Sequence, residues 1–248
     1  MVASPKWLVS SLLKMFKKIK ANIPNTITCL NLLSGCVACI FAFHSQEMFG
    51  TFKGYELVYI LIGAAAIFDF FDGAAARLLH ATSNIGKELD SLSDLISFGV
   101  APAMLMYNTM MHNNGEEYTS FAALAIAVFG AIRLARFNVD DRQTDVFIGL
   151  PIPANAIFWI GASALVNQYG YPGDTTLIIA LIIMSLLMVA PIKMYSLKFH
   201  NFALRENYKR YLIILSAILF VIFCGISGLA YEIFLYIILS IFSRKNIK

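Results

Sequence analysis

Asp69 and Asp72 stand three residues apart and Asp90 and Asp94 four apart, so each pair projects from one face of a helix. They sit in the stretch DFFDGAAARLLHATSNIGKELDSLSDLISFG, which runs from Asp69 to Gly99. Four carboxylates gathered at one place repel one another unless something positive sits among them. Oxygen ligands on rigid helices suit Mg²⁺ or Mn²⁺, and two such ions sharing ligands would neutralise the cluster and leave positions for phosphate oxygens. Gly73 and Gly86 let a ligand approach the backbone, and Arg77 offers a planar fork suited to phosphate. Together these residues predict metal-assisted phosphoryl chemistry. Acids at a helix end are otherwise simple solvated termini; matched pairs on consecutive helices, with glycine and arginine between them, argue against that here.

The elements that must hold these acids are set by the rest of the composition. Of 248 residues, 59% are hydrophobic, only 19 are basic and 15 acidic, and the mean hydropathy is +0.72. A soluble globular domain carries charge on about a quarter of its residues, so that class is excluded. Apolar runs predict eight spans at about 25–43, 55–77, 90–111, 120–138, 152–168, 175–195, 211–226 and 229–243. The expected fold is an all-α integral membrane protein: a six-helix transmembrane bundle, a C-terminal helical hairpin, and an N-terminal interfacial helix. The corresponding divisions are a basic interfacial helix over 1–22, a six-span core over 23–196, and a cytoplasmic loop with the terminal hairpin over 197–248. Span two descends and span three returns, so the two pairs of acids meet near one membrane boundary.

Basic residues assign the sides. Lys6, Lys14, Lys17, Lys18, Lys20, Arg77, Lys87, Arg133, Arg136, Arg142, Lys193, Lys198, Arg205, Lys209, Arg210, Arg244, Lys245 and Lys248 fall on one side of the predicted spans and Lys53 alone on the other. The positive-inside rule then places both termini and the acidic cluster at the cytoplasmic face of the cell membrane. Positive charge in such a chain sets topology, so no nucleic-acid partner is expected. Leu8, Leu12, Met15, Phe16 and Ile19 recur at helical spacing among lysines, the pattern of a helix lying on anionic lipid. Cys36 and Cys39 lie inside an apolar span without a second pair, so they read as packing residues and not as a zinc site. The four histidines form no ligand cluster.

The spacing Asp69-x-x-Asp72-Gly73-x-x-Ala76-Arg77, then eight residues to Gly86, three to Asp90 and three to Asp94, resembles the signature of the CDP-alcohol phosphatidyltransferases. The likeness implies an integral membrane enzyme that moves a phosphatidyl group from a CDP-linked lipid to an alcohol and releases CMP. It implies Asp69, Asp72 and Asp90 as metal ligands, and Asp94 as both ligand and general base. It further implies two divalent cations, Mg or Mn, with Gly73, Arg77 and Ser83 contacting the nucleotide diphosphate and a homodimeric assembly.

Three further segments, IPNTITCLN from Ile23, SLSDLISFGVAPA from Ser91, and RLARFNV from Arg133 followed by FIGLPIPAN from Phe147, resemble the phosphatidylserine synthase branch. That likeness implies CDP-diacylglycerol and L-serine as substrates. Asn25, Thr28 and Asn31 lie three apart on one face of the first span and are candidate contacts for cytidine diphosphate, or else interhelical hydrogen-bonding residues. Arg133 and Arg136 are candidate acceptor contacts. An arginine holds serine's carboxylate or the phosphate of glycerol 3-phosphate or inositol phosphate equally well, and it also serves as a topology signal. An ion or metal transporter is the rival from another class, because intramembrane acids also mark ion pathways. Concentration of the acids in one two-helix motif with an adjacent arginine favours the enzyme.

Overall fold

The computed structural model describes residues 6–114, 117–139, 147–195 and 204–242, with backbone alone for 6–19, 21, 114, 117, 147 and 204–206. Arg142, Lys198, Arg244, Lys245 and Lys248 lie outside the described residues. The fold is helical: α1 (Lys6–Phe43), α2 (Gly54–Leu78), α3 (Asn84–Asp94), α4 (Ala101–Asn114), α5 (Glu117–Ser120), α6 (Ala125–Val139), α7 (Ile152–Tyr169), α8 (Asp174–Val189), α9 (Leu204–Cys224) and α10 (Gly228–Phe242). Two-residue ribbons join some of them. Strands β1 (Met48–Phe49) and β2 (Phe52–Lys53) link α1 to α2, and β3 (Phe147–Ile148) pairs antiparallel with β4 (Lys193–Met194), with Ile148 opposite Lys193.

Among the described residues, five helical runs are long and apolar enough to cross a bilayer: Asn22–Phe43, Gly54–Leu78, Asn84–Asn113, Tyr118–Val139 and Asn207–Phe242. The 25 residues of α2 extend about 38 Å, more than the roughly 30 Å hydrocarbon core. Exposed Ile60 and Ile67 on α2, Val128 on α6, and Ile179 and Leu186 on α8 turn apolar surface outward, as lipid requires. This is an integral membrane protein.

Several boundaries differ from those read off hydropathy. No break separates residues 6–22 from the first span, because α1 runs unbroken through Pro24. The third helical run starts at Asn84 and not near residue 90, because Ser83 caps it by accepting a hydrogen bond from Gly86 N at 3.0 Å. The sixth apolar segment stops being helical at Val189 instead of 195. Ala190 is extended (ψ 144°), as steric clash with the ring of Pro191 demands. The last segment, Asn207–Phe242, is one apolar run folded into α9 and α10 by a 3₁₀ turn at Gly225–Ser227. Gly225 has φ +65°, a left-handed conformation that glycine takes at little cost, and Phe220 and Tyr231 rings meet across the hairpin with centroids 6.1 Å apart.

Polar groups join the helices inside. Tyr59 of α2 donates to Ser163 Oγ of α7 at 3.0 Å, Thr109 of α4 lies 3.3 Å from the same oxygen, and Asn167 donates to the Tyr59 hydroxyl at 3.3 Å. Within a membrane such bonds replace the hydrophobic drive between helices and are worth about 0.6 kcal/mol each. Glycines supply close approach: a Cβ on Gly35 of α1 would lie 2.4 Å from Ser97 Oγ, and one on Gly161 of α7 would lie 2.3 Å from Ala230 N of α10.

Candidate active site

Three helices build the site. α2 ends with Asp69, Asp72, Gly73 and Arg77; α3 begins over the same space with Gly86, Asp90 and Asp94; α1 backs both with Asn25, Thr28 and Asn31. The turn from α2 to α3 is tight. His80 takes the left-handed φ of +49°, and Ala81 N donates to Ala76 O at 2.9 Å, the pattern of a helix C-cap usually supplied by glycine. Side-chain hydroxyls then lock α3 and the turn of helix after it against α1: Ser93 Oγ donates to Thr28 O at 3.1 Å and Ser97 Oγ to Asn31 O at 2.9 Å.

Carboxylate oxygens of Asp69, Asp72 and Asp90 all lie within 4.8 Å of one another. The Asp69 carboxylate also reaches Asp94, so the four predicted acids do converge. Asp72 is only 5% exposed and its Oδ2 has no hydrogen-bond partner. Among the described residues there is no basic side chain within ion-pair distance of the cluster. Buried carboxylates without a cation are costly, and a donor set made only of carboxylate oxygens fits a hard divalent ion. Asp94 sits at the junction where the α-helix widens into a π-helical segment, Leu95–Val100, a distortion frequent at functional sites. Asn31, fully buried, donates its amide to Asp94 Oδ1 at 3.4 Å.

Beside the acids lies a cavity of about 440 Å³, lined by Asn25, Thr28, Asp72, Gly73, Gly86 and Asp90, with Pro24, Ser83 and Lys87 at its wall. Of the three polar residues expected on α1, Asn25 and Thr28 face this cavity, and the Thr28 hydroxyl also lies beside Asp72. Asn31 is instead turned to Asp94. Ser83 lines the cavity, but its oxygen is engaged in capping α3. Arg77 is exposed at the rim, with its Nη1 3.5 Å from where a Gly73 Cβ would stand. Lys87, read from sequence as a topology signal, lines the cavity and donates to Asn138 O at 3.2 Å, while Asn138 donates to Ser91 Oγ at 2.9 Å. Its position directly after Gly86 is the signal that marks it.

A family model described as CDP-alcohol phosphatidyltransferase matches residues 21–222. The chain belongs to the CDP-alcohol phosphatidyltransferase family. Curated relatives named CDP-diacylglycerol–serine O-phosphatidyltransferase are similar to it over long stretches. The Helicobacter pylori protein is 32% identical over 224 residues, covering 88% of this chain and 89% of the relative. That of Bacillus subtilis is 33% identical over 176 residues, covering 71% and 93%. The Methanocaldococcus jannaschii protein is 36% identical over 163 residues, covering 66% and 71%.

The two arginines at the end of α6 part ways. Arg133 is 7% exposed, its Nε has no hydrogen-bond partner, and it lies within electrostatic range of Asp94. Arg136 is exposed and its Nη1 donates to Val189 O at 3.0 Å, satisfying a carbonyl at the C-terminus of α8. The structure therefore brings Arg133 to the acids and gives Arg136 an architectural bond.

Proposed function

We propose that this member of the family transfers the phosphatidyl group of CDP-diacylglycerol to the hydroxyl of L-serine, releasing CMP. The observation that carries the reading is the convergence of Asp69, Asp72, Asp90 and Asp94 beside a cavity, in a chain that aligns along most of its length with relatives named for that reaction. In the cavity, Asn25, Thr28, Gly73 and Gly86 receive the cytidine diphosphate, with Arg77 and Lys87 at its rim and wall opposing the diphosphate charge. Ser83 contributes by holding the first turn of α3, whose free N–H groups favour an anion. Asp69, Asp72 and Asp90 hold a pair of divalent cations, Mg or Mn, with Asp94 completing the set; when bound, these ions supply Lewis-acid polarisation of the diphosphate.

Asp94 takes the proton of the serine hydroxyl as its oxygen forms a bond to the lipid-bearing phosphorus, and the bond from that phosphorus to the bridging oxygen breaks, so CMP leaves with the electron pair. Asn31 orients Asp94 for this role, and Arg133 holds the serine carboxylate near enough to present the hydroxyl. Acyl chains stay in the bilayer while the site opens to the cytoplasm. The lysine-bearing N-terminal part of α1 reaches the headgroup layer at the cytoplasmic end of the first span, ahead of a six-span core (23–196), and the C-terminal part adds the hairpin that makes eight spans, with both termini cytoplasmic. A homodimer is the assembly we expect.

Purified protein given CDP-diacylglycerol, labelled serine and Mg²⁺ or Mn²⁺ should release CMP and form phosphatidylserine. CMP release with glycerol 3-phosphate or inositol phosphate but not serine would keep the family and reject this acceptor. Asp94→Asn should lower turnover by about 10²- to 10⁴-fold, the usual worth of a positioned base, with CDP-lipid binding retained.

A further inference from the structure

Lys87 is a cation for which, among the described residues, no carboxylate lies within ion-pair distance. Its charge is therefore not balanced by an acid, and its side chain lines the cavity beside Asn25 and Asp90. Both ends of that residue are fixed. At the base, Lys87 N donates to Ser83 O at 3.1 Å, inside the turn that Ser83 caps. At the tip, Nζ donates to Asn138 O at 3.2 Å. Asn138 is the penultimate residue of α6, where a carbonyl has no partner within its own helix and is free to accept.

Asn138 is itself tied down. Its Nδ2 donates to Ser91 Oγ at 2.9 Å, and Ser91 Oγ donates in turn to Lys87 O at 3.2 Å. Lys87 and Ser91 stand four apart on one face of α3, so three hydrogen bonds close a ring between the two helices. The ring has one polarity: Ser91 gives its only proton to the α3 carbonyl and presents lone pairs to the amide of Asn138. A helix end held by nothing frays, which would carry the Asn138 carbonyl away from the ammonium. One of the three ammonium protons goes to that carbonyl, which leaves two for an anion at the cavity wall. An ammonium on four methylenes otherwise samples many positions, and a charge that only sets topology needs no fixed one.

We propose that Asn138 is a positioning residue for the nucleotide half of the site: with Ser91 it holds the Lys87 ammonium at the cavity wall, where that charge receives the diphosphate of the CDP-lipid. The inference rests on the CDP-lipid reading of the cavity and on no particular acceptor. Binding of CDP to purified full-length protein with Mn²⁺ present is measured by calorimetry, without an acceptor. Asn138→Ala and Ser91→Ala, on different helices, should each weaken CDP about fivefold, the size of one lost hydrogen bond. Ser91→Thr keeps the hydroxyl and should bind CDP as the wild type does. Lys87→Met should weaken CDP more, by about tenfold, and adding Asn138→Ala to it should cost little further, because both act on one contact. In turnover, Asn138→Ala should raise the KM for CDP-diacylglycerol about fivefold and leave kcat within about twofold, as loss of uniform binding does. Wild-type CDP affinity in Asn138→Ala, a Ser91→Thr protein as weak as Ser91→Ala, or full additivity with Lys87→Met would each overturn the proposal. A wild-type protein that binds CDP but makes no phosphatidylserine would remove the serine reading and leave this one to the variants; a wild type that binds no CDP would overturn it.

Discussion

At the scale of single residues, the site depends on small atoms in tight places as much as on its acids. Gly86 shows this. A Cβ there would stand 2.9 Å from Asn25 Oδ1 and 3.0 Å from Ser83 Oγ, crowding a cavity-lining amide and the oxygen that caps α3. Gly86→Ala should raise the KM for CDP-diacylglycerol by about tenfold, the scale of a hydrogen bond to a charged group, and leave the serine KM nearly unchanged. Kinetics with each substrate varied in turn check the split; an effect on serine alone would place Gly86 outside the nucleotide side. Asp72, with one buried oxygen unpartnered, and Asp94, held by Asn31, show why the four acids are not equivalent despite their regular spacing.

At the scale of elements, hydroxyl bonds and side-chain-free surfaces set which helices can approach. Ser93 and Ser97 fasten α3 and the π-helical turn to α1, and Gly35 admits Ser97 into contact. Gly161 does the same for α10: a methyl group there would sit 2.3 Å from a backbone nitrogen, too close for either helix to accommodate in place. Gly161→Ala should therefore push α10 off α7 and lower stability by about 1–3 kcal/mol, the usual cost of overpacking. Thermal unfolding in detergent measures it, and an unchanged midpoint would mean that α10 is not docked as described. Neither the serine ladder nor the Gly161 contact was legible in the sequence, because each pairs residues far apart in the chain and hydropathy reports only whether a segment is apolar.

At the scale of the whole molecule, the acids and Lys53 lie at opposite ends of α2, so one face of the membrane carries the chemistry and the other a short ribbon. With the chemical end in the cytoplasm, an impermeant maleimide added to intact cells should label Lys53→Cys and not Glu88→Cys, each in a protein lacking Cys29, Cys36, Cys39 and Cys224. Glu88→Cys should react only after permeabilisation. The reverse pattern would invert the orientation drawn from the basic residues.

The sequence by itself determined the membrane class, the four acids and the family, because composition and fixed local spacing survive without coordinates: charges are scarce, and Asp69 to Asp94 fall within two adjacent helices. It also marked the terminal hairpin, as two apolar runs at about 211–226 and 229–243. What only the tertiary structure decided concerns partners distant in sequence. It turned Asn31 toward Asp94 and away from the cavity, and separated buried Arg133 from Arg136, which binds the end of α8. The same holds for boundaries. Pro24 did not end α1, whereas Pro191 ended α8 through Ala190, since packing decides whether a chain continues past the lost hydrogen bond of a proline.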